Sequence, residues 1–197
     1  MPVGPFTSTD SFLTDFIEGV VRPNHQMILY AVIDKTRPPT SVDKEGALAG
    51  FLSYLNTSPV NQSIEIGYIL TLPPFQRTHV TSNAVGLLLN FALNTTVEGC
   101  LGLRRVQWRT STANNASMRA AEKFGFQKEG VLRWESIFPG GRSKGKQGNG
   151  RHGPPGANDG DLARDTVVFS ICWDDWFVSG KKEQVARRMA GQGAVPT

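Results

Sequence analysis

Apolar residues recur along this chain in two rhythms, one helical and one extended. Between residues 10 and 21, Phe12, Phe16, Ile17 and Val20 share a helical face, and Asp10 stands where a helix cap is needed. Residues 26–34, QMILYAVID, are apolar almost throughout, which predicts a buried strand. Residues 35–46 are polar and turn-rich, as a loop requires. Residues 47–56 and 63–71 read as strands joined by a hairpin turn, TSPVNQ. Pro73 and Pro74 stop the second of these. Over 79–96 the helical rhythm returns with Val80, Ala84, Leu87, Leu88, Phe91 and Ala92.

Residues 104–112 alternate like a strand, and 116–126, ASMRAAEKFGF, predict a short helix closed by Gly125. Strands are expected at 127–138 and 166–173, and a polar terminal helix over 174–190. Between the last two strands lies a Gly-rich stretch with almost nothing apolar, read as a flexible insertion at 140–162. The order of elements predicts one α/β domain with a mixed sheet over 1–177, and a polar C-terminal helix or tail at 178–197.

Composition narrows the function. No stretch approaches the roughly 20 apolar residues of a membrane-spanning helix, so no membrane partner is expected. The first ten residues lack the pattern of a signal peptide. Cys100 and Cys172 are the only cysteines, expected as free thiols in a reducing, cytoplasmic compartment. With His25, His79 and His152 far apart in sequence, no metal site is expected. The net charge of +4 is too small to argue for nucleic acid, although a basic surface suits an anionic nucleotide.

The join from strand to helix at 73–82, PPFQRTHVTS, carries the first candidate chemistry. A helix N-terminus offers unpaired N–H groups and partial positive charge, which suits a phosphate. Arg77 adds a full charge, and Thr78, Thr81 and Ser82 add hydroxyls. The second piece is Asn114 and Ser117, three apart at the entry of the short helix, where capping alone would explain one of them comfortably.

Together these stretches resemble a known family. Asn114, Ser117, Ala120, Ala121, Glu122, Gly125 and Phe126, followed by Glu129, Gly130 and Arg133 and then by Arg164, Asp165, Thr166, Phe169 and Ser170, resemble the GNAT acetyltransferases. The branch that includes the ribosomal-protein N-acetyltransferases is the most similar. The resemblance covers about residues 4–177 and implies a mostly antiparallel mixed sheet flanked by helices, with acetyl-CoA as co-substrate. It also implies that the first strand and first helix of that fold are lacking here, because relatives carry about 40 residues before the motif Gly4-Pro5-Phe6. The strand at 26–34 would then be an exposed edge, and either a homodimer across it or a compromised acceptor pocket is expected.

By the same resemblance, Gln76, Arg77, Thr78, His79, Val80, Thr81 and Ser82 hold the coenzyme diphosphate. The family glycines are replaced by His79 and Thr81. Amides at Ile69, Leu70, Thr71 and Leu72 would polarise the thioester carbonyl and bond the pantetheine. Glu65, eleven residues before Gln76, is the candidate base. Asn114 would bind the pantetheine arm, and Ser117 would reach the thiol or cap its helix. Phe124 stands where many members place a tyrosine acid. The leading reading is N-acetyl transfer to a small amine or a peptide N-terminus. An O-acyltransferase, and a GNAT-fold protein that binds or interacts without turnover, remain alternatives.

Overall fold

The computed structural model describes residues 4–39 and 44–191, so the expected loop at 35–46 and tail at 178–197 fall partly outside the described residues. Six strands form a mixed sheet in the order β1-β2-β3-β4-β6-β5. They are β1 (Ile28–Asp34), β2 (Ala47–Ser58), β3 (Ser63–Thr71), β4 (Arg105–Ser111), β5 (Gln127–Phe138) and β6 (Leu162–Cys172). The chain divides into two compact units, His25–Gln107 with Ile171–Thr197, and Met1–Asn24 with Trp108–Ser170. No helix among the described residues is long and apolar enough to cross a membrane.

In the first unit β1, β2 and β3 form an antiparallel meander, and β3 pairs in parallel with the start of β4. The hairpin between β2 and β3 closes with a hydrogen bond from the Gln62 N–H to the Pro59 carbonyl. Helix α2 (His79–Leu93) buries Val80, Val85, Leu89, Ala92 and Leu93. It stops before residue 96 because Thr95 starts a new capping box, its N–H and hydroxyl both bonded to Glu98 Oε2. The Tyr54 hydroxyl donates to the Leu88 carbonyl, tying α2 to β2. Burial pushes the Tyr54 hydroxyl pKa well up, so it stays a donor.

The expected single terminal helix is two. Helix α4 (Trp173–Phe177) and helix α5 (Lys181–Met189) are separated by Gly180 at φ 74, a left-handed position that glycine takes without strain. Met189 seats on α2 at Gly86, where a Cβ would lie 2.4 Å from its sulfur.

The second unit pairs β5 with β6 in antiparallel fashion. Its first helix, α1 (Thr9–Ser11), runs into a π-helix, Phe12–Val21, where a plain α-helix was expected. Ser8 rather than Asp10 is the cap, in a reciprocal box with Ser11. The rings of Phe6, Phe12 and Phe16 pack together. Helix α3 (Asn115–Lys123) ends at Gly125, φ 88, as expected.

The Gly-rich stretch is held by hydrogen-bonded turns. Asn149 bonds the Ala163 carbonyl and Asp165, Arg151 pairs with Asp165 and stacks over Trp134, and the Gly140 N–H bonds Asp161. These contacts extend β6 back to Leu162, four residues before the expected start.

Asp165 is buried, and hydrogen bonds from Asn149 and the Trp134 N–H, with Arg151 and Arg133 nearby, hold its pKa below the ordinary value. A depressed carboxylate pKa stabilises the fold above the unfolded value of about 3.9 and is lost as pH falls through the folded value. Melting temperature should therefore fall on acidification below about pH 4. Asp165→Asn should be less stable at neutral pH but show a flatter acid limb. Melting curves of both proteins from pH 7 to pH 3 check this.

Candidate functional site

Strand β3 and helix α2 are joined by a 3-10 turn at Pro73–Phe75 and then by Gln76–Thr78. Pro73 and Pro74 fix the backbone as it leaves the strand, and buried Phe75 packs with Ala49 and Val80 beneath the turn. Arg77 lies at φ 61, so this exposed residue carries the left-handed step that a glycine would otherwise take.

Thr78 is the α2 cap. Its hydroxyl donates to the Phe75 carbonyl at 2.6 Å and accepts from the Val80 N–H at 3.3 Å. The His79 and Thr81 amides belong to the same first turn, where helical N–H groups have no intrahelical acceptor. The Thr71 and Thr81 hydroxyls bond each other at 2.8 Å, and Gln76 Nε2 folds back to the Thr71 carbonyl at 3.1 Å. Ser82 is half-buried in the same turn.

His79 Nε2 is 3.4 Å from Asp34 Oδ1, with the imidazole 41 % exposed. Asp34 is buried at the end of β1, and hydrogen bonds from Thr36, with His79 adding to them, hold its pKa down. His79 thus has a carboxylate partner beside the turn.

Glu65 lies inside β3, only 5 % exposed, with Leu55 and Gln107 as its register partners. A buried carboxylate needs donors, and Asn56 Nδ2 supplies one to Oε2 at 2.7 Å. Further along β3 the pairing with β2 slips by one residue between Ser53–Gly67 and Phe51–Leu70. Tyr68, at φ 49, sits in that bulge.

Of the four amides expected at Ile69–Leu72, that of Leu72 is already spent on the Ala49 carbonyl at 2.8 Å. Alternation along a strand aims the Leu70 N–H the same way and those of Ile69 and Thr71 the opposite way. The Leu72 N–H is thus given to the sheet.

Asn114, Ser117 and Phe124 lie in the other unit, where the structure brings them together around Trp108. Asn114 is the α3 cap, its Oδ1 accepting from the Ser117 N–H at 3.0 Å. The Ser117 hydroxyl oxygen accepts from Trp108 Nε1 at 2.9 Å. Capping and this indole bond together account for both residues. Phe124 is a buried ring 6.3 Å from Trp108, with little surface to offer a ligand. In the same unit Glu135 pairs with Arg109 and accepts from Thr166.

Two further features went unnoticed in the sequence. Among the described residues Cys172, Asp174 and Asp175 bring potential metal-ligand atoms within 4.8 Å of one another. Cys172 and Asp175 already form a reciprocal cap of α4, which explains their proximity. A cavity of about 430 Å³ lies beside Leu93, Leu103, Arg104, Trp173 and Phe177, at the C-terminal end of α2. The helix has 15 residues, so about 22 Å separates this cavity from the turn.

Comparison with known families finds a match to the acetyltransferase (GNAT) domain over residues 2–127, a span holding both Glu65 and the whole turn. A solved GCN5-related N-acetyltransferase from Brucella melitensis is 25 % identical at a TM-score of 0.71, with 96 % of this chain and 68 % of that one covered. A probable acetyltransferase of the GNAT family from Chromobacterium violaceum is 31 % identical at 0.66, covering 89 % and 70 %. A variant of spermidine N-acetyltransferase from Vibrio cholerae shares the fold at 16 % identity and a TM-score of 0.58, covering 89 % and 82 %. Comparison with curated proteins gives no match.

Proposed function

This chain belongs to the GNAT acetyltransferase family, and from that premise we propose that it transfers an acetyl group from acetyl-CoA to an amine, either a small molecule or a peptide N-terminus. The observation that carries this reading is one continuous strand, turn and helix. It bears a buried carboxylate at Glu65 and ends in an uncovered helix N-terminus beside Arg77. Resemblance to the ribosomal-protein branch supports the peptide acceptor.

In this reading the diphosphate of acetyl-CoA lies against the His79 and Thr81 amides, with Arg77 supplying charge. Glu65 accepts a proton from the acceptor ammonium. The freed nitrogen lone pair attacks the thioester carbonyl, polarised by the Ile69 and Thr71 amides. A C–N bond forms, the C–S bond breaks, and the departing thiolate takes up the second proton that nitrogen loses. The resemblance to the family adds Asn114 at the pantetheine arm and Ser117 beside the thiol. Holding the two substrates side by side supplies much of the rate, since a neutral amine is already a good nucleophile. A cytoplasmic location fits the free thiols Cys100 and Cys172, and self-pairing through the outer edge of β1 completes the reading.

A second reading, a GNAT-fold protein without turnover, draws on the turn's own side chains. Thr71 with Thr81, and His79 with Asp34, already satisfy one another. Melting with acetyl-CoA separates the two. Ligand at a hundred times its Kd should add about 2.7 kcal/mol of stability, whereas an unmoved melting temperature at millimolar acetyl-CoA selects the second reading. Thiol release is then followed with spermidine, phenethylamine and an alanine-led tripeptide, against matched alcohols. Release with the amines alone supports N-transfer, and release with the alcohols assigns O-transfer.

A further inference from the structure

The cavity at the C-terminal end of α2 takes no part in the chemistry above. Its lining comes from a single compact unit: Leu93 from α2, Leu103 and Arg104 just ahead of β4, and Trp173 and Phe177 from α4. Trp173 and Phe177 stand four apart, so they share one side of that five-residue helix, while Trp176 turns into the core. Their exposures are 50 % and 44 %. Two half-covered rings beside a cavity offer apolar contact area that the fold itself does not use. A volume of about 430 Å³ is in the range of small-molecule sites.

Main-chain bonds fix the charged member of the lining. The Arg104 N–H donates to the Gln62 carbonyl at 2.9 Å, and the Arg104 carbonyl accepts from the Trp173 N–H at 3.0 Å. Arg104 and Trp173 are thereby held side by side. The Arg104 guanidinium and the Trp173 indole N–H have no hydrogen-bond or ion-pair partner among the described residues. Among the described residues that line the cavity, Arg104 alone carries a charge.

The surrounding charges are answered elsewhere. Lys182 lies over the Phe177 ring at 5.5 Å and pairs with Glu98 at 3.6 Å. The carbonyls at the end of α2 are not left bare either. Those of Phe91, Ala92 and Asn94 accept from the N–H groups of Leu101, Leu103 and Gly102. What the cavity offers is thus an uncommitted guanidinium and an uncommitted indole N–H beside apolar walls.

We propose that this cavity is a second binding site, separate from the strand–turn–helix site, and that its ligand is a small aromatic carboxylate. The carboxylate pairs with the Arg104 guanidinium, whose planar fork matches two oxygens, and takes the Trp173 indole N–H as a further donor. The ring of the ligand packs with Leu93, Leu103 and Phe177. A cation is repelled by Arg104. A neutral apolar molecule covers the guanidinium without giving it an acceptor, which costs binding free energy.

Phenylacetate is the probe, and the readout is the set of indole N–H resonances from the four tryptophans of the full chain. The Trp173 resonance is identified by its loss in Trp173→Phe. It should shift saturably with millimolar phenylacetate. Acetate, which has the charge without the ring, and 2-phenylethanol, which has the ring without the charge, should each bind at least about tenfold more weakly. Arg104 is exposed, so Arg104→Gln should keep the parental melting temperature while losing about tenfold or more in affinity for phenylacetate. Phe177→Ala should lose about two- to tenfold.

A Trp173 resonance that stays in place overturns the proposal. Equal affinity for phenylacetate and 2-phenylethanol overturns it too, since the cavity would then be an apolar patch with no use for a charge. Parental affinity in Arg104→Gln has the same force, and so does a shift confined to Trp108, Trp134 or Trp176, which places the probe elsewhere. None of these readouts involves acetyl-CoA or turnover, so the result stands apart from the fate of the acetyl-transfer reading.

Discussion

Glu65→Gln is expected to lower kcat near neutral pH by about 10²- to 10⁴-fold, the usual contribution of a positioned general base. The substitution keeps the shape of the side chain and its ability to accept from Asn56, so the fold should hold. The deficit should also depend on pH in one direction. An alkylamine with a pKa of about 10.4 is neutral in roughly one molecule per thousand near pH 7.4. As pH rises toward the amine's own pKa, solvent removes the proton and the missing carboxylate matters less. Rates of parent and variant should therefore converge between pH 7 and pH 10, while KM for acetyl-CoA stays level. A constant ratio across that range would show that Glu65 does something other than take a proton. Steady-state thiol release against pH is the measurement.

The largest stability effect is expected at Trp176. Its side chain is fully buried in α4, and its indole N–H donates to Asn94 Oδ1 at 2.9 Å. Trp176→Ala should cost about 3–5 kcal/mol through the cavity it opens, and it also strands the Asn94 carbonyl. Much of the total stability of an ordinary domain, about 5–15 kcal/mol, would go with it. Trp176→Phe keeps most of the packing and loses the hydrogen bond, so a smaller loss of about 1–2 kcal/mol is expected. Denaturant melts of the three proteins order them parent, Phe, Ala. Equal midpoints for the Phe and Ala variants would assign the stabilisation to the hydrogen bond instead of the ring.

Strands β3 and β5 were legible to the residue because their punctuation is local. Pro73 and Pro74 end the first, and Gly125 precedes the second. The sequence places the start of β6 four residues late because Leu162–Asp165 are held by partners, Asn149 and Arg151, that lie far back in the Gly-rich stretch. The break between α4 and α5 is hidden in the sequence because Gly180 looks like a tolerated glycine until its positive φ is known. At the candidate site, the turn and Glu65 could be placed by order along the chain. The commitment of the Leu72 amide to Ala49 could not, because a strand's edge direction depends on register. Nor could the Trp108–Ser117 bond, which joins a strand to a helix across an intervening turn. Asn56 was invisible for a further reason: a bulge breaks the alternation on which reading a strand relies.

Strands β1, β2 and β3 pair each with the next in sequence, and α2 follows directly. Residues 28–93 therefore need only short loops to find one another, and short loops close fast. The parallel neighbour β4 and the late strand β6 must come from farther along the chain. During synthesis the meander and its helix leave the ribosome before β4, β5 and β6, so the turn ahead of α2 is expected to take shape while those later strands are still being made.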